Sequence, residues 1–404
     1  MLTSGQLAVI KQTVPILQEN GETLTRHFYQ RMFRHNPEVL AFFNPAHQHS
    51  GSQQRALAGA ICAYAQHVDD PGVLADAVEL IAQKHVSLGI QPEHYPIVGE
   101  NLLASIGEVL GEAATDDILA AWAAAYGALA DIFIQREKTL YDTQGQQFGW
   151  QGFKRFVVTR REPASENIVS LYLEPEDGMV LRPHRPGQYL TIRLTLPNGE
   201  TVMRNYSLSN RPGETFYRIS VKREGGGDTP AGVCSNHLHD HINVGDQLAV
   251  SPPCGSFILR EAKADKPLVL IAGGVGVTPI LSMLHAALKE SVDRPVVFLQ
   301  GALNSAVHPF AEELAELQRV NPNLRVHVRY SDPLPEDRHN GSHDSEGVID
   351  EALLDELVGD ADAEYYFCGP TPMLKHVRAL LERRDVPDAA IHYEFFGPAE
   401  SLAA

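Results

Sequence analysis

From Leu268 the sequence runs through an unbroken apolar stretch into Gly273-Gly274-Val275-Gly276-Val277-Thr278-Pro279 and then into a helical pattern. Glycines let a backbone approach a phosphate, and a helix start offers free N–H groups and a favourable dipole end. The spacing is not GxGxxG. Gln300-Gly301-Ala302-Leu303 stand where an acidic ribose partner would close the next strand, so the choice between NADH and NADPH stays open. Alone, the loop fits a tight strand-to-helix turn as well as a dinucleotide site. A second chemistry lies near the amino terminus. His85 shares a helical face with Val78 and Ile81, Tyr29 and Gln53 sit on earlier helical patterns, and Phe43 falls in the break between those two. One imidazole facing an apolar pocket is what a five-coordinate haem needs, with the sixth position left for a gas. Taken singly, one histidine among 18 is as readily a satisfied core or surface residue.

The elements that must hold these residues come in three textures. Residues 1–141 read as Ala-rich helices with breaks at Asn36-Pro37, Asn44-Pro45, Asp70-Pro71-Gly72 and Gln91-Pro92. Residues 142–152 lose the periodicity and read as a linker. Over 153–262 strands dominate. Leu190, Ile192, Leu194 and Leu196 alternate with polar residues, Pro197-Asn198-Gly199-Glu200 supplies a hairpin turn, and Phe216–Arg223 forms another strand. From 263 to 404, apolar runs at Leu268–Ala272, Val296–Leu299, Leu324–Val328, Tyr365–Cys368 and Ile391–Phe396 alternate with helical patterns, which predicts a parallel sheet flanked by helices. The polar stretch Ser331–Gly347, with His339 and His343, reads as a solvated loop.

The 404 residues are too many for one ordinary domain, and 44% apolar with 21% charged residues excludes a disordered chain. A formal charge of −18 argues against nucleic acid or anionic membranes as partners. Cys62, Cys234, Cys254 and Cys368 are too scattered for a disulfide framework, a zinc site or an iron–sulfur cluster. With no CxxCH, any haem is held without thioether bonds. The longest uncharged apolar run, Ile118–Ala130, is short of a membrane span, and the amino terminus shows no signal peptide, so a cytoplasmic protein with no obligatory membrane is expected; a monomer fits, but the oligomeric state stays open.

Arg204-Asn205-Tyr206-Ser207 after the hairpin, Gly232-Val233-Cys234-Ser235 opening a helix, and Cys368-Gly369-Pro370 ending a later strand together resemble the ferredoxin-reductase superfamily over about residues 150–400. Tyr29, Phe43, Gln53, Leu57 and His85 follow the order and approximate spacing of a globin's pocket residues. Lys84-His85-Val86-Ser87-Leu88-Gly89 and Tyr95-Pro96-Ile97-Val98-Gly99-Glu100 are closely similar to the flavohaemoglobins, so the whole chain resembles that family.

The resemblance implies a multidomain protein: an all-α globin, an antiparallel β-barrel for FAD, and an α/β parallel sheet for the nicotinamide nucleotide. It implies non-covalent haem b on His85, with Tyr95 and Glu137 orienting the imidazole, although beside Arg136 and Lys138 Glu137 also fits an exposed helix charge. Tyr29 and Gln53 would donate to bound dioxygen, and Phe43 and Leu57 would shape the pocket. FAD would be held by Tyr189, Arg204, Asn205, Tyr206, Ser207, Gly232 and Ser235, with Lys222 or Arg223 and the tail Glu394-Phe395-Phe396-Gly397-Pro398. Lys84 would face Glu394 across the flavin side. NAD(P)H would meet Gly273, Gly274, Val275, Gly276, Val277 and Thr278, with Cys368 and Gly369 opposite. The implied activity is nitric oxide dioxygenation. NAD(P)H reduces FAD, FAD reduces the haem iron, and the oxygen-loaded haem converts nitric oxide to nitrate, with O2, NO and NAD(P)H as the small-molecule partners. Two alternatives are an oxygen or redox sensor whose reductase keeps iron ferrous, and a haem-free flavin reductase.

Overall fold

The computed structural model describes residues 2–225, 231–260 and 266–397. Its first unit is helical. Helix α1 (Ser4–His35) starts at a capping box in which Thr3 and Gln6 satisfy each other's backbone N–H groups, and it buries Ile10, Leu17, Leu24, Phe28 and Met32 along one face. A 3-10 turn (Pro37–Phe42) leads to α2 (Pro45–Ser50) and α3 (Ser52–Gln66). Helix α4 (Ala75–Leu88) ends at Gly89, whose φ of 83° only glycine adopts without strain. Helix α5 (His94–Leu110) then packs on α6 (Asp116–Phe148) at Gly99, where a Cβ would come within 2.6 Å of the Tyr126 ring.

Helix α6 corrects two expectations. It does not stop near 141 but continues to Phe148 and ends at Gly149, so most of the expected linker is helical. The last turns lack helical periodicity because they pack on the next unit. Gln144 Nε2 donates to Cys254 Sγ at 2.8 Å, and Phe148 and Trp150 join the barrel core. Among the described residues, α6 alone is also long and apolar enough to cross a membrane. Counting uncharged residues missed this because Asp131 interrupts the run. Here the helix packs along α1, α4 and α5, and its apolar faces belong to the globin core.

The second unit is a six-stranded antiparallel sheet. Its strands are β1 (Lys154–Ser165), β2 (Ile168–Pro175), β3 (Tyr189–Thr195), β4 (Thr201–Ser207), β5 (Tyr217–Lys222) and, after helix α7 (Val233–Asp240), β6 (Gln247–Val250). Their order is β4-β3-β6-β1-β2-β5, and the Leu208–Ile219 bridge brings the edges together as a barrel. The hairpin falls where expected. Leu196 N–H donates to Glu200 O, and Gly199 takes φ 85°.

The third unit alternates strands and helices: β7 (Leu268–Gly273), α8 (Val277–Glu290), β8 (Val296–Ala302), α9 (Ala311–Val320), β9 (Leu324–Tyr330), α10 (Pro335–Asn340), β10 (Ser345–Glu346), α11 (Glu351–Leu357), β11 (Glu364–Cys368), α12 (Thr371–Arg383) and β12 (Ile391–Glu394). The parallel order β10-β9-β8-β7-β11-β12 reverses direction between β7 and β11, and ligands bind beyond the carboxyl ends of strands at such a switch point. The stretch 331–347 is largely exposed, as expected, but it is not all loop. It folds into α10 and β10 because buried Asp337 accepts the Ser305 and Leu334 N–H groups and the Ser342 hydroxyl. His343 stacks on Tyr330 with ring centroids 4.8 Å apart.

Candidate functional site

Three helices converge on His85. It lies in the last turn of α4, with its Nδ1 2.7 Å from Glu137 Oε1 on α6 and 3.2 Å from the Tyr95 hydroxyl on α5. Tyr95 donates to the same carboxylate oxygen at 2.5 Å, and its own carbonyl accepts from the Tyr126 hydroxyl. Burial and the bond to Glu137 hold the Tyr95 phenol well above its ordinary range. Glu137 is only 2% exposed, whereas its neighbours Arg136 and Lys138 pair outward with Glu79 and Asp142. A carboxylate only accepts, so it fixes the proton on Nδ1 and leaves Nε2 with its lone pair. A single imidazole so oriented, beside Phe133 and the apolar side chains of Val78, Ile81 and Ile90, is a donor set that fits a haem iron.

A second cluster forms around Tyr29 of α1. Its ring lies 5.6 Å from that of Phe43, and Gln53 of α3 hydrogen-bonds its hydroxyl. Leu57, one turn further along α3, packs into the same cluster. Burial lifts the Tyr29 phenol to about 12 against the opposing pull of Gln53, so the group stays protonated and can donate. The structure therefore brings Tyr29, Phe43, Gln53 and Leu57 together, although they come from three separate segments.

The seam between globin and barrel gathers the next set. Lys84 Nζ donates to Gly397 O at 3.0 Å. Burial raises the Glu394 carboxyl to about 7, with Lys84 opposing the rise, and burial lowers Lys84. Tyr189 is buried beside Ser87 of α4. Gln83 Oε1 accepts the Gly255 N–H at 3.0 Å, and Arg204 Nη2 donates to Asn44 Oδ1 at 2.9 Å. Gln83, Asn44 and Gly255 were not singled out in sequence, because single polar side chains outside any motif carry no signal there. Phe395 packs against the third unit's core, while Phe396 is 44% exposed. Pro398 lies outside the described residues.

On the barrel, Tyr206 donates to Cys234 Sγ, Ser207 is buried, and Asn205 accepts from the Thr191 hydroxyl at 2.7 Å. Gly232 opens α7, and a Cβ there would lie 2.4 Å from Ser235 Oγ. Gly232 is thus packed directly against Ser235 and Glu224, and the backbone N–H groups of the helix start there fit a flavin phosphate. Lys222 and Arg223 are paired with Glu224 and Asp240.

At the switch point, a Cβ on Gly276 would lie 2.4 Å from the Cys368 carbonyl, and one on Gly273 would lie 2.4 Å from Met373 Sδ. Gly274 takes φ 52°, and the Thr278 hydroxyl donates to Val275 O, so Gly273–Thr278 form one tight crossing beside Cys368 and Gly369. Bare backbone at a helix start fits a nicotinamide nucleotide's phosphates. Met373, which walls this loop, is invisible to pattern reasoning because its helical spacing marks only core packing.

The globin family model matches residues 26–133, the oxidoreductase FAD-binding domain model residues 156–258, and the oxidoreductase NAD-binding domain model residues 270–379. The flavohemoprotein of Rhodopirellula baltica is 51% identical over 407 positions, covering 100% of both chains. That of Halalkalibacterium halodurans is 48% identical over 98% of this chain and 97% of its own. A flavohemoglobin from Malassezia yamatoensis, solved with bound FAD and heme, superposes with a TM-score of 0.85 at 30% identity over 98% of this chain and 100% of that one. The FAD/NAD-binding domain of a nitric oxide dioxygenase from Vibrio cholerae covers 61% of this chain at 34% identity, with a TM-score of 0.55 over 100% of its own length. The cofactors are haem, FAD and a nicotinamide dinucleotide, and a globin is coupled to an FAD- and NAD-dependent reductase. The chain is an oxidoreductase and belongs to the flavohemoprotein family.

Proposed function

We propose that this chain is a nitric oxide dioxygenase, turning nitric oxide and dioxygen into nitrate with electrons from NAD(P)H. When bound, haem supplies an iron for dioxygen, FAD divides a hydride into single electrons, and NAD(P)H supplies that hydride. The observation that carries the reading is the buried Glu137 carboxylate 2.7 Å from His85 Nδ1. Held this way, His85 would be a more basic ligand to a haem iron, which suits turnover better than mere storage of a gas. Tyr95 donates to that same carboxylate oxygen and helps to hold it in place. Tyr29, with Gln53 beside it, presents a protonated hydroxyl where negative charge would develop. Phe43 and Leu57 keep water out.

On the reductase side, Arg204 and the start of α7 at Gly232 and Ser235 hold the flavin pyrophosphate. Tyr189, Asn205, Tyr206, Ser207, Phe395 and Phe396 surround the rest of the flavin. The Gly273–Thr278 crossing with Cys368 and Gly369 holds the nicotinamide nucleotide. Lys84 and Glu394 close the seam between the two redox units.

The test is NADH-driven removal of nitric oxide in air by the haem- and FAD-loaded protein, with nitrate measured in the same samples. Nitrate equal to the nitric oxide consumed is expected. Reduction of the haem without faster nitric oxide loss would leave a gas-binding or sensing protein instead.

A further inference from the structure

We propose that Asn44, in the globin corner beside Phe43, is a positioning residue for the flavin: it holds the Arg204 guanidinium in the orientation that takes the flavin pyrophosphate. The inference rests on the proposed role of Arg204. Arg218 meets Glu313, Arg329 meets Asp350 and Arg378 meets Glu382, whereas buried Arg294 donates to the Lys266 carbonyl and, within the described residues, pairs with no carboxylate. Among the described residues Arg204 meets none. Its Nη1 donates to Met203 O at 2.6 Å and its Nη2 to Asn44 Oδ1 at 2.9 Å. Two neutral oxygens orient the fork without neutralising it, so the charge and the other N–H donors stay available to an anion. Met203 is the preceding residue on the same strand and moves with Arg204. Asn44 reaches across from the globin, 160 residues away in sequence. A long arginine side chain has much rotamer freedom to lose, and pinning it beforehand lowers the ordering cost of binding. The globin thereby completes the flavin site of the barrel.

Asn44 also stands directly before α2, its backbone carbonyl accepting the Gln48 N–H at 3.2 Å, so the control substitution keeps a residue type that suits a helix start. Serine caps as well as asparagine but is too short to reach Arg204. The experiment measures FAD dissociation constants by flavin fluorescence on full-length, haem-loaded protein. The proteins compared are the parent, Asn44→Ser, Arg204→Ala and the double variant. Asn44→Ser should weaken FAD binding about tenfold, as for loss of one charge-assisted hydrogen bond, with the Soret band unchanged. In the Arg204→Ala background it should change FAD binding no further, because the proposed effect of Asn44 on the flavin runs through that side chain. An unchanged constant in Asn44→Ser, or additive losses in the double variant, overturns the assignment. An unchanged constant in Arg204→Ala removes the role of Arg204 itself, a separate failure. Asn44→Asp keeps both cap and reach but neutralises Arg204, so its FAD binding should weaken and lose part of its salt dependence. Parent-like affinity and salt dependence in Asn44→Asp would equally overturn the proposal, even if the serine variant failed to fold.

Discussion

At the scale of residues, the pocket makes two demands that can be separated. Removing the Tyr29 hydroxyl deletes one donor to bound dioxygen and leaves the ring packed against Phe43. A hydrogen bond of about 1 kcal/mol or more corresponds to dioxygen leaving at least about fivefold faster from Tyr29→Phe. Flash photolysis of the oxygenated protein measures this, and an unchanged off-rate would deny Tyr29 its role. On the opposite side, Glu137→Gln keeps the shape but replaces a carboxylate by an amide at His85 Nδ1. The iron–histidine stretching frequency of the ferrous protein should fall, together with the rate of nitric oxide removal. A frequency that stayed put would mean that Glu137 does no more than fix the ring. His85, Tyr29 and Gln53 could be singled out only together, by the order and spacing they share with a globin's pocket residues, since each alone also fits an ordinary core or surface position. Glu137 could not be told from a surface charge by pattern, since Arg136 and Lys138 flank it. Only the fold turns it inward while they face Glu79 and Asp142.

At the scale of elements, strands and helices were readable wherever apolar spacing was regular, and the Asn198-Gly199 turn set the β3–β4 register. The misreadings fall where tertiary contacts override a weak pattern, as at the end of α6, held by Cys254, and at α10, built around Asp337. The same burial has a pH consequence at the junction of the barrel with α8. His184, 3% exposed, lies 3.0 Å from Ser282 Oγ on α8, and burial lowers its pKa from 6.5 to about 3. Between those values the unfolded chain binds a proton that the native one refuses. Stability from this group is therefore full above pH 6.5 and falls as pH drops, by about 1.4 kcal/mol per unit at most. The urea midpoint of the parent should fall between pH 7 and pH 5, and His184→Gln should remove part of that slope. Identical slopes in both proteins would show that His184 titrates freely.

At the scale of the whole molecule, the order of three units was legible because each has its own periodicity. Their docking was not, since it depends on ordinary polar and charged side chains from distant segments. The junction of barrel and nucleotide-binding unit shows what such contacts can do. Arg218 of β5 forms a two-pronged pair with Glu313 of α9 at 2.8 and 3.1 Å, and its guanidinium lies 4.9 Å from the centre of the Phe310 ring. Phe310 itself is held at φ 63°, a costly backbone for an aromatic residue, and it sets the start of α9 from which Glu313 points. Burial alone would raise the Glu313 carboxyl, but His285 and Arg218 outweigh it and bring it down to about 2. Replacing a buried pair with apolar groups can be neutral, whereas removing one partner strands the other charge at about 3 kcal/mol or more. Glu313→Gln therefore leaves Arg218 buried without its carboxylate. Because the pair spans two units, the loss should appear as weakened docking: calorimetry should show the reductase melting at a lower temperature, while the Soret band reports an unchanged globin transition. A parent-like melting profile would mean that the pair is replaceable and that the apolar contacts along α8 hold the junction alone.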